Sequence, residues 1–111
     1  MQKLDRYYAV ALQSDCDGVH PDRDRESSSR RMLASIARLD SDVSGARRWI
    51  GQDLKLVVLP EYVLTGPPWG ESIAEWTDKA ALDPDGPEYA GFAAIAQKHD
   101  VFLAGNAYET D

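Results

Sequence analysis

Three short runs of consecutive apolar residues divide the chain and predict β-strands. The runs cover residues 7–12, 56–59 and 101–105. Each run is apolar at both odd and even positions, which is typical of strands buried on both faces in a parallel sheet covered by helices. Pro60 ends the second run, because proline cannot donate a hydrogen bond to a neighbouring strand.

The spacing of apolar residues between the first two runs predicts one long amphipathic helix. Its apolar positions alternate in steps of four and three residues, so their side chains form one stripe, with Leu33 and Trp49 alongside. The stripe consists of Met32, Ile36, Leu39, Val43, Ala46 and Ile50. Gly45 lowers the stability of the helix by up to ~1 kcal/mol relative to alanine, so a bend or a break is expected there if the helix has one.

A second helix is predicted over residues 88–99. Its expected apolar face consists of Tyr89, Phe92, Ala93 and Ala96. The connection before it, residues 60–87, is rich in glycine and proline, and residues 71–79 in its middle favour a short helix. Connections of this length in compact domains usually carry function.

The predicted order is β-α-β-loop-α-β, with right-handed parallel crossovers. Three strands that are apolar throughout require helices on both faces, but the sequence contains only two clear helices. The outer strands would also be long apolar edges, which stable proteins avoid. We therefore expect residues 1–111 to be part of a larger sheet, completed by further sequence or by a partner.

Composition and charge restrict the classes of partner. The 111 residues carry a formal net charge of −7, and residues 51–111 hold three basic side chains against eleven acidic ones. Such a chain is repelled by phosphate backbones and anionic membranes, so neither nucleic acid nor a membrane is an expected partner. The single cysteine excludes an internal disulfide framework, and the sequence contains no signal peptide or membrane span, so the cytoplasm is the expected compartment.

Glu61 is the main candidate for chemistry. Sites in parallel sheets gather at the carboxyl ends of the strands, which here are residues 13–17, 60–62 and 106–109. Glu61 follows four aliphatic residues and a proline, so its carboxylate would emerge at the mouth of an apolar sheet and serve as a general base. The alternative is a structural carboxylate that caps a helix or pairs with an arginine.

Aromatic residues near Glu61 are candidates for a substrate-binding role. Trp69 lies between Pro68 and Gly70 on a rigid turn and is the better candidate for lining a pocket. Tyr62 is adjacent to Glu61, and on an extended backbone its side chain would point to the opposite side. Trp76 is expected to pack the loop onto the sheet.

Residues 56–66, with the sequence LVVLPEYVLTG, resemble the first signature of the carbon–nitrogen hydrolase (nitrilase) superfamily. In that family a buried strand ends in Pro-Glu and a Thr-Gly turn follows; the opening strand with Gln13 and the strand leading to Gly105 also follow the family's order. The resemblance implies the amino-terminal portion of a four-layer αββα sandwich. It also implies hydrolysis of a small amide or nitrile by a Glu-Lys-Cys triad, without a metal or organic cofactor, in a homo-oligomer.

Only Glu61 matches that triad. The family's lysine and cysteine lie beyond the strand that ends near Gly105, and Cys16 follows the first strand, where the family has no nucleophile. None of Lys3, Lys55, Lys79 and Lys98 lies at the end of a fourth strand. We therefore expect residues 1–111 to be a partial hydrolase domain that is inactive alone, because triad members act as a unit.

Three alternatives remain open at this stage. Cys16 with His20 as base would be a different nucleophilic pair, but no third group is evident to orient His20, and Cys16 is expected to be a small packing residue. His99 is expected to interact with the negative end of its helix. A second alternative to a hydrolase is a non-catalytic remnant. A third is a receiver-like signalling module, but such a module needs an aspartate at the position of Glu61 and a lysine after a terminal strand.

Overall fold

The chain forms a small α/β fold, and the computed structural model describes Lys3 and residues 5–111. The predicted strands and helices are confirmed, with ends shifted by one or two residues. In chain order the elements are β1 (Tyr8–Ala11), α1 (Arg25–Ile50), β2 (Leu54–Val58), α2 (Ile73–Ala80), α3 (Pro87–His99) and β3 (Phe102–Ala104).

The three strands form one parallel sheet in the order β1-β2-β3, so β2 is central. Val57 pairs with Val10 on one side and with Leu103 on the other. Val58 pairs in the same way with Ala11 and Ala104. Since side chains alternate between faces along a strand, the rows through Val57 and Val58 lie on opposite faces of the sheet.

Helix α1 is held at both ends by local capping. The side chain of Asp24 accepts a hydrogen bond from the backbone of Ser27, and Gly51 ends the helix with φ 96°, a value that favours glycine. The helix runs without a break through Gly45. Within the part of the chain that the structure describes, no helix is both long and apolar enough to cross a bilayer.

The predicted stripe of α1 is confirmed as its buried face. Met32 and Val43 are fully buried, and Ile36 and Leu39 are nearly so. The two residues expected alongside the stripe were placed wrongly: Leu33 is exposed, and Trp49 is 91% exposed. Each of the two residues lies about 100° around the helix axis from the adjacent residue of the stripe. This angle is large enough to expose its side chain to solvent.

The prediction that the strands are buried on both faces is wrong. Helices α1 and α3 pack on the face that carries Val57, which is 0% exposed. On the other face Val58 is 40% and Phe102 79% exposed. The chain exposes 7621 Å² in total, compared with about 6,100 Å² for a compact monomer of its mass. One apolar face of the sheet is therefore uncovered in this chain.

Helix α3 packs on α1 through residues outside its predicted apolar face. Its buried residues are Glu88, Ile95 and His99, and its Gly91 lies against Ile36 of α1. The ring of His99 contacts Asp40 of α1, with 2.7 Å between Nε2 and Oδ1, so its direct partner is a carboxylate on another helix. The four residues of the predicted apolar face together line an open cavity beside β3: Tyr89, Phe92, Ala93 and Ala96.

Candidate functional site

Glu61 lies in the turn that follows the central strand. Leu59 continues the ladder after β2 by donating a 2.8 Å hydrogen bond to the carbonyl of Ala104, and Pro60 then ends it. The side chain of Glu61 is exposed, and no residue in the described part of the chain forms a hydrogen bond or ion pair with it. It is therefore neither a helix cap nor the partner of an arginine here, and its carboxylate is accessible to a ligand.

The backbone of this turn is not extended, which corrects the expectation for Tyr62. Tyr62 has φ 49° and Gly66 has φ 68°, both in the left-handed region. The carbonyl of Tyr62 accepts hydrogen bonds from Thr65 (3.1 Å) and Gly66 (2.8 Å), and its amide donates to Oδ1 of Asn106 at 2.8 Å. The turn that carries Glu61 is thus fixed both internally and to the segment after β3.

Tyr108 is a neighbour of Glu61 that the sequence analysis did not single out. Its ring stacks on Tyr62, with centroids 4.7 Å apart and planes 11° apart, and meets Trp76 edge-on at 5.8 Å. Burial raises the pKa of Tyr108, and the Tyr62 hydroxyl and the negative charge of Glu61 raise it further. Tyr108 therefore keeps its proton at neutral pH and lies within electrostatic reach of Glu61.

The sequence contains only a weak indication that Asn106 and Tyr108 lie near Glu61. Both follow the third strand, and the rule that carboxyl ends of parallel strands share one edge places them near Glu61. Nothing in the sequence indicates that Tyr62 would adopt a left-handed turn, and that turn creates the stacked pair.

Two open cavities flank the Glu61 turn without including Glu61. One, of about 500 Å³, lies between α3 and β3 and is lined by Phe92, Leu103 and Asn106, among others. Tyr89 also lines this cavity, and its hydroxyl donates a hydrogen bond to Glu109; that bond is the main cause that raises the pKa of Tyr89 to about 12. The other cavity, also about 500 Å³, lies between the ends of β1 and β2 and includes residues 11–15 and 58–60.

Trp69 lies apart from the stacked tyrosines. It is 84% exposed, and its ring meets the ring of His20 edge-on, with centroids 6.3 Å apart. It lines neither of the two cavities beside the Glu61 turn. Trp76, by contrast, packs as expected: it is 6% exposed and its ring stacks on the ring of His20, with centroids 5.4 Å apart.

A second cluster of polar side chains surrounds His20. Its Nδ1 lies 3.0 Å from Oε1 of Glu71, and Nζ of Lys79 lies 3.5 Å from the same oxygen. The hydrogen bond with His20, followed by one from the backbone of Trp69, lowers the pKa of Glu71 to about 2. Glu71 is the third group that was not evident in the sequence, where it lies 51 residues from His20.

Cys16 lies beside this cluster. The expectation that it is a packing residue is wrong, because its side chain is exposed. Its thiol donates to the carbonyl of Tyr62, with 3.5 Å between Sγ and the oxygen. Among Lys3 and residues 5–111, no group of three or more histidine, cysteine and acidic side chains is arranged to hold a metal ion.

Comparisons of the chain with known protein families, with curated proteins and with solved structures found no match. The resemblance to carbon–nitrogen hydrolases therefore rests on the strand that ends in Pro60 and Glu61 and on the order of elements around it.

Proposed function

We propose that this chain supplies the glutamate-bearing, amino-terminal part of a carbon–nitrogen hydrolase domain, in which Glu61 is the general base. The reaction is the hydrolysis of a small amide or nitrile. The nucleophilic cysteine and the lysine of the triad come from polypeptide beyond the residues described, because neither is matched by a residue of this chain.

The position of Glu61 is the observation that carries this proposal. A general base must reach the proton that it removes, and Glu61 is exposed at the carboxyl end of the central parallel strand, where ligands bind in such sheets. Its carboxylate has no partner among the described residues. The hydrogen bonds of Tyr62 hold the turn on both sides, so the backbone that carries the base is fixed before a substrate arrives.

The uncovered face of the sheet supports the larger architecture. Its residues are apolar and form two rows across all three strands: Ala9, Leu56 and Phe102 in one, and Ala11, Val58 and Ala104 in the other. A second sheet packed about 10 Å away would bury both rows, as in a four-layer αββα sandwich. The single layer of helices in this chain would then be one of the two outer layers.

Each group of the triad has a separate task in the proposed reaction. Glu61 takes the proton of the cysteine thiol, and the thiolate attacks the carbon of the amide or nitrile. The lysine stabilises the negative charge of the tetrahedral intermediate. Glu61 passes its proton to the departing nitrogen, which leaves as ammonia and gives an acyl-enzyme; a nitrile first forms a thioimidate that adds one water molecule before the ammonia leaves. Glu61 then activates the water molecule that releases the acid product. Tyr62, stacked on Tyr108, holds the turn.

The proposal is tested by ammonia release from small amides and nitriles. In the polypeptide that also carries the lysine and cysteine, Glu61→Gln should reduce turnover by at least about 10²-fold, because a general base is lost. Glu26→Gln, an exposed carboxylate in the first turn of α1, is the matched control and should leave turnover unchanged. The 111-residue chain alone should show no turnover. Retained activity in Glu61→Gln, with the circular dichroism spectrum unchanged, would disprove the role of Glu61.

A further inference from the structure

The cavity between α3 and β3 has the size and the lining of a small-molecule site. Its volume is about 500 Å³, within the range of roughly 300–1,000 Å³ that is typical of ligand pockets. Leu59, Leu103 and Phe92 form much of its apolar wall, so a compact apolar group that enters it is removed from water. The space itself is left by four small residues: Ala93, Ala96, Gly105 and Ala107.

The same wall carries one carboxylate, that of Glu109. The hydroxyl of Tyr89 donates a hydrogen bond to its Oε1, and no residue in the described part of the chain donates to its Oε2. Tyr89 is a neutral donor at neutral pH, since this bond, together with burial, raises the pKa of Tyr89 to about 12. The negative charge of Glu109 is therefore not compensated by its partner, and one of its oxygens is open to a ligand.

The backbone on both sides of Glu109 is held in place. The amide of Leu82 donates to the carbonyl of Tyr108 at 2.7 Å, and the amide of Thr110 donates to the carbonyl of Leu82 at 2.9 Å. Leu82 is fully buried, so these two bonds anchor the segment to the core. Tyr89 of α3 holds the carboxylate itself. A site that is formed before its ligand arrives loses less conformational entropy on binding.

The charges around the cavity determine the class of ligand. Of the described residues that line it, none is a lysine, arginine or histidine, and residues 51–111 hold three basic side chains against eleven acidic ones. We propose that this cavity binds a small primary amine with an apolar body, whose ammonium group pairs with Glu109 while the apolar body packs on Phe92 and Leu103. An ammonium ion forms a charge-assisted hydrogen bond with a carboxylate, whereas an anion is repelled. Glu61 does not line the cavity, so this site is separate from the proposed catalytic base.

Titration of the whole 111-residue chain with 2-phenylethylamine, a cation at neutral pH, tests this site. Binding is followed by the ¹⁵N–¹H NMR signals of Phe92 and Ala96, because α3 lies on the covered face of the sheet and these signals do not report on the uncovered face. The probes 2-phenylethanol and 3-phenylpropionate are neutral and anionic molecules of similar shape. At a constant, low protein concentration the amine should bind about tenfold more tightly than the alcohol, and the anion should bind most weakly.

Two pairs of variants locate the binding. Glu109→Gln keeps an acceptor for the Tyr89 hydroxyl but removes the charge, and it should reduce the affinity for the amine to that for the alcohol. Glu26→Gln, at an exposed carboxylate of α1, is its matched control. Ala93→Leu should weaken the binding of both probes severalfold, because the larger side chain occupies the cavity. Ala94→Leu places the same side chain at an exposed position of α3 outside the cavity and should leave binding unchanged.

Three results would overturn the proposal. One is equal affinity of the wild-type chain for the amine and the alcohol, which would mean that Glu109 does not select the ligand. Another is a Glu109→Gln or Ala93→Leu variant, with a wild-type circular dichroism spectrum, that binds the amine as tightly as wild type. The third is that the signals of Phe92 and Ala96 do not respond to the amine; if they respond to protein concentration instead, a second copy fills the cavity. None of these results bears on Glu61, because the measurement involves no hydrolysis.

Discussion

The backbone amide of Tyr62 donates a 2.8 Å hydrogen bond to the side-chain oxygen of Asn106, 44 residues further along the chain. The bond joins the turn after β2 to the segment after β3. Leu59, three residues earlier, donates to the carbonyl of Ala104. The side chain of Asn106 therefore extends the contact between the β2 and β3 segments beyond the last backbone hydrogen bond of the sheet. Glu61 lies between these two bonds, so its backbone is fixed relative to β3.

Removing this side chain should loosen the turn. Asn106→Ala should lower the free energy of unfolding by about 1 kcal/mol, because the Tyr62 amide loses its acceptor. Urea denaturation at a fixed pH measures the change. Asn106→Asp retains an acceptor oxygen and should keep most of the stability. Equal losses in the two variants would show that the hydrogen bond does not contribute.

The two faces of β2 should respond differently to the same substitution. Val57 is 0% exposed and Val58 is 40% exposed, although they are adjacent. Val57→Ala should lower the free energy of unfolding by about 2 kcal/mol, because buried methyl groups are removed from the core. Val58→Ala should change it by no more than about 0.5 kcal/mol. Equal costs, measured by urea denaturation, would mean that the outer face is covered in solution.

The uncovered face should also promote self-association of the isolated chain. Phe102 is 79% exposed on this face and is flanked by apolar neighbours, which makes it part of a patch. Phe102→Ser should therefore lower the average mass measured by sedimentation at high protein concentration. Trp49→Ser is the matched control, since Trp49 is 91% exposed on α1, away from the sheet. If Trp49→Ser lowers the mass as much as Phe102→Ser, the sheet face is not the contact.

The helices were predictable because their signals are local. The stripe on α1 from Met32 to Val43 repeats at helical spacing, and burial against the sheet follows directly from that spacing. The strands were also located correctly, but their burial was not. An apolar run predicts that both faces of a strand avoid water, and it does not reveal whether the covering layer belongs to the same chain.

The candidate site was only partly predictable, because its contacts are long-range. Glu61 was found from its place after a strand and a proline. The pairing of His20 with Glu71 and the stacking of Tyr62 on Tyr108 join residues far apart in sequence. No periodic pattern encodes such contacts, which depend on how the long connection folds over the end of the sheet.

The ionisation of Glu71 gives a dependence of stability on pH with a defined sign. The hydrogen bond with His20 lowers the pKa of Glu71 to about 2, from an ordinary value of 4.5. Since the folded state has the lower pKa, the unfolded chain takes up the proton first as the pH falls. The stabilisation from ionised Glu71 is therefore complete above pH 4.5 and is lost as the pH falls from 4.5 towards 2.

Glu71→Gln should remove this pH-dependent contribution. Asp24 and Asp40 also have lowered pKa values, so the wild-type curve alone does not isolate Glu71. The informative quantity is the difference in unfolding free energy between wild type and Glu71→Gln, measured by denaturation at a series of pH values. That difference should shrink as the pH falls from 4.5 towards 2, while Glu26→Gln should show no such change. A difference that stays constant down to pH 2 would mean that the charge of Glu71 does not stabilise the fold, and that only the shape of its side chain holds His20 in place.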